Sequence, residues 1–229
     1  MMPYVITLTG ASQCGKSKVI EILHKIGADK AYPDFLPVTF QKYTTRDFRD
    51  YEKDFIRNGQ AHLLDQRPVI GDYNNNDELD AGALSIEKMR AFHKLQCDLA
   101  YEQYGDRYGL RLADLYDHLK KGETPIVILN DVRTVEDVKT KLGGQCFSLF
   151  IFREAPNLDR FIADGEIRGE SLEKTKIRFQ KASAIYRIYI ENIHIFDKLI
   201  LNIESDTNSL ERILRHLIDY LCESAVEFR

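Results

Sequence analysis

Gly10-Ala11-Ser12-Gln13-Cys14-Gly15-Lys16-Ser17 completes the pattern G-x-x-x-x-G-K-[ST], directly after a short β-branched run from Tyr4 to Thr9. Behind it Val19, Ile20, Leu23 and Ile26 recur at helical spacing, and Gly27 is a natural stop. Strand, glycine loop and helix in that order form a phosphate cradle: loop N–H groups converge on phosphate oxygens at a helix N-terminus. Lys16 is placed to reach the β- and γ-phosphates, and the Ser17 hydroxyl to ligate the Mg²⁺ that bridges them. The expected ATP-binding residues are Gly10, Ala11, Ser12, Gln13, Cys14, Gly15, Lys16, Ser17 and Lys18, with Lys16 catalytic and Ser17 the metal ligand. The loop alone announces a nucleoside triphosphate and leaves motor, switch and kinase open.

Outward from the loop, helical and strand patterns alternate, which predicts an α/β protein with a mainly parallel sheet. Val38 to Tyr43 reads as a strand, Arg46 to Gly82 as loops or a small subdomain, and Ser85 to Tyr101 as a helix. Leu112 to Lys121 is predicted helical, Ile126 to Leu129 a buried strand, Thr134 to Leu142 a helix and Cys146 to Phe152 a second buried strand. A helix is expected over Pro156 to Ala163, a polar, glycine-bearing stretch over Asp164 to Ser171, and a long helix over Leu172 to Ile190. Leu199 to Ile203 reads as the last strand, and Leu210, Ile213, Leu214, Leu217, Ile218 and Leu221 mark a final amphipathic helix.

The 229 residues suit one domain carrying an insertion. With 32 Lys plus Arg against 36 Asp plus Glu, the net charge of -4 argues against bulk binding to nucleic acid or an anionic membrane. No apolar run is long enough to span a bilayer, and the start has no secretory pattern. Cys14, Cys97, Cys146 and Cys222 are scattered without metal spacing, so reduced thiols and a cytoplasmic location are expected.

A second phosphate site is suggested by Lys42-Tyr43-Thr44-Thr45-Arg46-Asp47-Phe48-Arg49-Asp50-Tyr51-Glu52. Two arginines three apart beside paired threonines suit a phosphate monoester held by forked, charge-assisted hydrogen bonds, although a plain charged loop has the same composition. Tyr104-Gly105-Asp106-Arg107-Tyr108-Gly109 could add a tyrosine hydroxyl to the same phosphate.

With these segments in order, followed by the strand IVILNDV, by IRGE and by the helix carrying KIRFQKAS, the chain resembles the guanylate kinase family. That family's pattern is a phosphate loop, S-x-TTR-x-x-R-x-x-E, a G-x-x-YG turn, a strand ending D-x-D, and an arginine-bearing lid. The resemblance runs from Tyr4 to about Asn202. It implies a three-layer P-loop NTPase fold in a single kinase domain. The core would be 1–42 and 112–229, the acceptor-binding insertion about 43–111 and the lid about 164–171. It further implies that Thr45, Arg46, Arg49, Glu52, Tyr73, Tyr108 and Asp131 bind the acceptor, and that Arg168 and Arg178 close over the transferring phosphates as catalytic residues.

The departures fall where the family reads guanine. Leu110 stands in place of the serine or threonine after YG, and Leu129 in place of the first aspartate of D-x-D. The glutamate before the turn falls near Leu99, where a one-residue shift toward Asp98 or Glu102 would restore a carboxylate. A leucine cannot replace a carboxylate that accepts from a base edge. The expected function is an ATP- and Mg²⁺-dependent kinase of a phosphorylated acceptor, a nucleoside monophosphate (GMP) by family precedent. Two alternatives stay open: a kinase of another phosphorylated small molecule such as a ribose bisphosphate, and a non-catalytic binding module. The expected partners are ATP and the acceptor, with no membrane and no nucleic acid, and a homodimer stays open.

Overall fold

The computed structural model describes residues 4–11, 14–69, 81–103, 105–153, 158–167, 171–202 and 207–227. The protein is α/β, with a P-loop NTPase-like arrangement around a five-stranded parallel sheet. Strand β1 (Val5–Thr9) lies at its centre and runs into the glycine loop and helix α1 (Lys16–Gly27). Across the sheet the order is β2 (Pro37–Thr39), β7 (Thr124–Ile128), β1, β8 (Cys146–Arg153) and β9 (Lys198–Asn202).

Every residue of β1 and β7 is buried, because helices cover both faces of the sheet. Ile6 and Leu8 point into one core, shared with Val19, Leu23 and Ile26 of α1 and with Leu214 and Ile218 of α8 (Thr207–Glu227). Val5, Val127 and Leu129 point into the other, with Leu115 of α4 (Leu112–Lys120) and Val135 and Val138 of α5 (Val132–Leu142). Truncating any of these fully enclosed side chains to alanine costs about 2–5 kcal/mol.

Between β2 and α4 the chain builds a second sheet, ordered β4 (Gln66–Pro68), β3 (Lys42–Thr44), β6 (Asp106–Leu110) and β5 (Leu99–Gln103). It also builds α2 (Asp50–Arg57) and α3 (Ala81–Lys94). This corrects two sequence expectations. Val38 to Tyr43 is two strands: Thr39 pairs with Ile126 in the main sheet, whereas Tyr43 pairs with Gly109 in the small one. The helix expected over Ser85 to Tyr101 stops at Lys94, beyond which Gln96 takes a left-handed φ of 49°. An apolar run that short carries helix and strand signals alike, and pairing with β6 settles β5 as a strand.

Helix α6 (Leu158–Ile167) takes in the first part of the polar stretch expected to be a lid, and α7 (Leu172–Glu191) follows it, capped by Ser171 Oγ on Lys174 N. The four cysteines are free thiols. No helix among the described residues is long and apolar enough to cross a membrane.

Candidate active site

The glycine loop is held in shape by its neighbours. Gly10 has φ 157° and lies so close to β8 that a Cβ would sit 2.5 Å from the Ile151 carbonyl oxygen and 2.6 Å from Cys14 Sγ. Gly15 caps α1 in the left-handed region at φ 95°, and a Cβ there would strike the side-chain amide of Asn202. That amide donates to the Cys14 carbonyl at 2.9 Å, tying β9 to the loop. Glycine is required at both places for backbone reasons.

Lys16 Nζ donates to the Gly10 and Ala11 carbonyls at 2.8 and 2.7 Å and lies 3.7 Å from Cys14 Sγ, so the ammonium sits within the loop. The first turn of α1 contains no acidic side chain to neutralise the helix N-terminus. Ser17 is exposed at that turn. Lys18 Nζ bonds Glu21 Oε1 at 2.9 Å along the helix surface. Ser12 and Gln13 lie outside the described residues.

The small sheet presents the second set. Buried Glu52 receives Arg46 Nη1 on Oε2 at 3.0 Å and Nη2 on Oε1 at 2.7 Å. The same carboxylate receives the Arg49 backbone N–H at 2.7 Å, which closes a capping box at the start of α2. Gln66 accepts from Arg46 Nε at 2.7 Å and also from Nη2. The three-residue spacing that joins Arg49 to Glu52 thus orients Arg46 as a fixed cation. Thr45 exchanges bonds with Arg107: its N–H donates to the Arg107 carbonyl at 3.1 Å and its Oγ1 accepts the Arg107 N–H at 2.9 Å.

Tyr108 is buried, and its ring stacks on Tyr101 at 5.4 Å with 17° between planes. Burial pushes the Tyr108 phenol up, against the nearby positive charges of Arg46 and Lys42. Asp106, two residues earlier, is raised by burial while Arg46, Lys174 and Lys88 pull it down. Arg46, Lys88 of α3 and Lys174 of α7 thus bring positive charge toward Asp106 at the start of β6.

Asp131 caps α5: Oδ2 accepts Thr134 N at 2.8 Å and Thr134 Oγ1 at 2.6 Å. Leu99 and Leu110 face each other across the hairpin and share the second core with Leu129. The one-residue shift fails to restore a carboxylate. Side chains alternate along β5, so Glu102 lies on the opposite face from Tyr101 and Gln103, and Asp98 Oδ2 is taken by the Leu112 N–H at 2.7 Å. Tyr73 and Arg168 fall outside the described residues, as does the side chain of Arg178, whose backbone lies in α7.

Sequence reasoning assigned no role to Lys42 or Gln103. Lys42 is 2% exposed, and its Nζ donates to the Ile128 carbonyl at the end of β7. Leu8, beside Ile128 in the main sheet, is two residues from Gly10, so this ammonium ties the small sheet to the strand ends that carry the loop. The available signal was the family pattern S-x-TTR, whose serine position is Lys42 here.

No protein-family model matches the sequence, and no curated protein matches it. Solved structures do. The guanylate kinase from Anaplasma phagocytophilum superposes with a TM-score of 0.51 at 15% identity, over 96% of this chain and 86% of that one. A Chloroflexus aurantiacus protein, described as a kinase by inference, gives a TM-score of 0.43 at 10% identity over 96% and 97% of the two chains. The fold is kinase-like. At such identity the likeness concerns the fold, and the chemistry has to be argued from the side chains above.

Proposed function

We propose that this protein is an ATP-dependent kinase that transfers the γ-phosphoryl group to a phosphorylated small molecule. Two features support this reading: the glycine loop around Lys16 that follows β1, and the Arg46 guanidinium held by Glu52 and Gln66 beside the small sheet, which Lys42 ties to the end of β7. The loop would hold the ATP phosphates, and Arg46, with Arg49, Thr45 and Tyr108, the acceptor phosphate. Transfer between two anions needs positioning and charge neutralisation more than covalent help from the protein.

The glycine cradle and the exposed Ser17 hydroxyl suit Mg-ATP, with Ser17 as the protein's ligand to the metal. Mg²⁺ supplies charge neutralisation on the phosphates when bound. The side chains do the rest: Lys16 binds phosphate oxygens, and Arg46 aims the acceptor. An acceptor phosphate oxygen forms the new bond to the γ-phosphorus as the bond to the bridging oxygen breaks, and ADP leaves. In this reading Arg168 and Arg178 neutralise charge on the transferring group, a role carried only by their place in the sequence. The test is ADP release with Mg-ATP across phosphorylated acceptors. Acceptor-dependent release that Arg46→Ala abolishes supports the proposal, and ATP hydrolysis indifferent to both acceptor and Arg46 refutes it.

A further inference from the structure

Arg46 brings no net charge to an incoming phosphate. Its guanidinium and the Glu52 carboxylate share two hydrogen bonds, at 3.0 and 2.7 Å, so the pair is neutral as a unit. A phosphate monoester carries close to two negative charges at neutral pH. A site that holds one firmly therefore gains from a further cation beside Arg46, provided that cation can leave its present partner.

Lys88 of α3 meets both conditions. Its Nζ donates to Asp47 Oδ2 at 2.6 Å, and the carbonyl of the same Asp47 accepts Arg46 Nη1 at 2.8 Å, so a single residue joins the two cations. The Lys88 side chain is only 14% exposed, whereas that of Asp47 is 65% exposed. The lysine is thus packed against the protein while its counter-ion stands in water, and such a pair adds little to stability. A charge-assisted bond from Lys88 to a phosphate oxygen would replace it without loss. Asp106 marks where the charges meet, since Arg46, Lys88 and Lys174 all act on its carboxylate. Its neighbour Arg107 is bonded twice to Thr45, the residue before Arg46.

We infer that Lys88 is a second cation of the acceptor phosphate site, leaving Asp47 to bind a non-bridging phosphate oxygen when the acceptor enters beside Arg46. This rests on the kinase reading for the place of the phosphate. It adds a binding residue from α3, outside the TTR-x-x-R-x-x-E stretch, and gives Asp47 the part of a counter-ion that holds the ammonium until the phosphate arrives.

The experiment has a binding arm and a turnover arm on the full chain. In the first, the glycine loop is filled with a non-hydrolysable Mg-ATP analogue and inorganic phosphate is titrated by calorimetry. The proteins are the wild type, Arg46→Ala, Lys88→Met, Lys88→Arg, Asp47→Asn and the Lys88→Met, Asp47→Asn double variant. Lys88→Met should weaken phosphate by about tenfold or more, the worth of a charged hydrogen bond, and Lys88→Arg should keep most of the affinity. The loss from Lys88→Met should persist in the Asp47→Asn background. A lysine that served only to hold Asp47 would have nothing left to lose there, so disappearance of the effect overturns the inference. Phosphate affinity unchanged in Lys88→Met overturns it too, as does phosphate that binds without need of Arg46. Should Lys88→Met fail to fold, Lys88→Gln, which keeps a donor to Asp47, carries the same test. In the second arm, ADP release is followed with the four nucleoside monophosphates and with pentose phosphates. Lys88→Met should raise the acceptor KM and leave the Mg-ATP KM unchanged. Arg46-dependent turnover with an acceptor KM indifferent to Lys88 overturns the inference and leaves the kinase reading intact. Phosphate that binds through Arg46 and Lys88, with no ADP released by any acceptor, supports the inference and sinks the kinase reading instead.

Discussion

Replacing Glu52 tests how Arg46, the arginine proposed to hold the acceptor, is positioned. Its carboxylate takes two Arg46 N–H groups and the Arg49 backbone N–H, with side-chain exposures of 12% for Arg46 and 5% for Glu52. Glu52→Ala leaves a buried guanidinium short of its counter-charge, a loss of about 3–5 kcal/mol. Gln66 and the Asp47 carbonyl still receive Arg46, so the lower end applies, about 3 kcal/mol. Losing the helix cap adds about 1 kcal/mol. For a chain this long each kcal/mol moves the midpoint by about 2–4 °C, so the total of about 4 kcal/mol lowers Tm by roughly 8–16 °C. Glu52→Gln keeps an acceptor oxygen and should cost about half as much. The assay is a double-mutant cycle with Arg46→Met and Glu52→Gln, read by urea unfolding and by the acceptor KM. The predicted coupling is about 2 kcal/mol, with the acceptor KM raised in both single variants and the ATP KM unchanged. Coupling below about 0.5 kcal/mol would show that the pair does not act as a unit and would refute the reasoning.

Gly15→Ala should abolish Mg-ATP binding in calorimetry, because alanine at φ 95° costs about 1–2 kcal/mol and its Cβ meets the Asn202 amide. Asn202→Ala alongside it should restore binding only in part, since the backbone strain stays. His24 bonds Thr39 Oγ1 at 2.8 Å, and burial, together with the neighbouring His62, holds its pKa below the usual histidine value. The unfolded chain then takes up the proton first, so stability is full above about pH 6.5 and falls as the pH drops through the lowered value. Melting curves from neutral to mildly acid pH should show that fall, and His24→Gln should flatten it. Asp131→Ala should cost about 1 kcal/mol of stability as a lost cap, measured by urea unfolding; an unchanged midpoint would contradict the capping role.

The strand, glycine loop and helix at the start of the chain were legible because the pattern is local: eight consecutive residues, a strand before and a helix after. The Arg46–Arg49–Glu52 grouping was visible as a phosphate-site spacing, whereas the capping box and the Arg46–Glu52 ion pair were not read from it. What could not be read depends on pairing. Lys42 reaches Ile128 only because the run from Val38 to Tyr43 divides between two sheets, and no local pattern marks that division. Tyr101 meets Tyr108 only once β5 and β6 form a hairpin, and the same register sends Glu102 to the far face. The leucines at 99, 110 and 129 stood out in the sequence as departures from the family pattern, but their merger into one core needed the sheet.

The most direct test of the account is a pair of equilibrium titrations, Mg-ATP and a phosphorylated acceptor, each against the wild type, Lys16→Ala and Arg46→Ala. Two separate phosphate sites predict a crossed result: Lys16→Ala loses Mg-ATP and keeps the acceptor, whereas Arg46→Ala keeps Mg-ATP and loses the acceptor. If Arg46→Ala weakened Mg-ATP as much as Lys16→Ala does, both residues would serve one nucleotide, and the proposal of a second phosphate site on the small sheet would be contradicted.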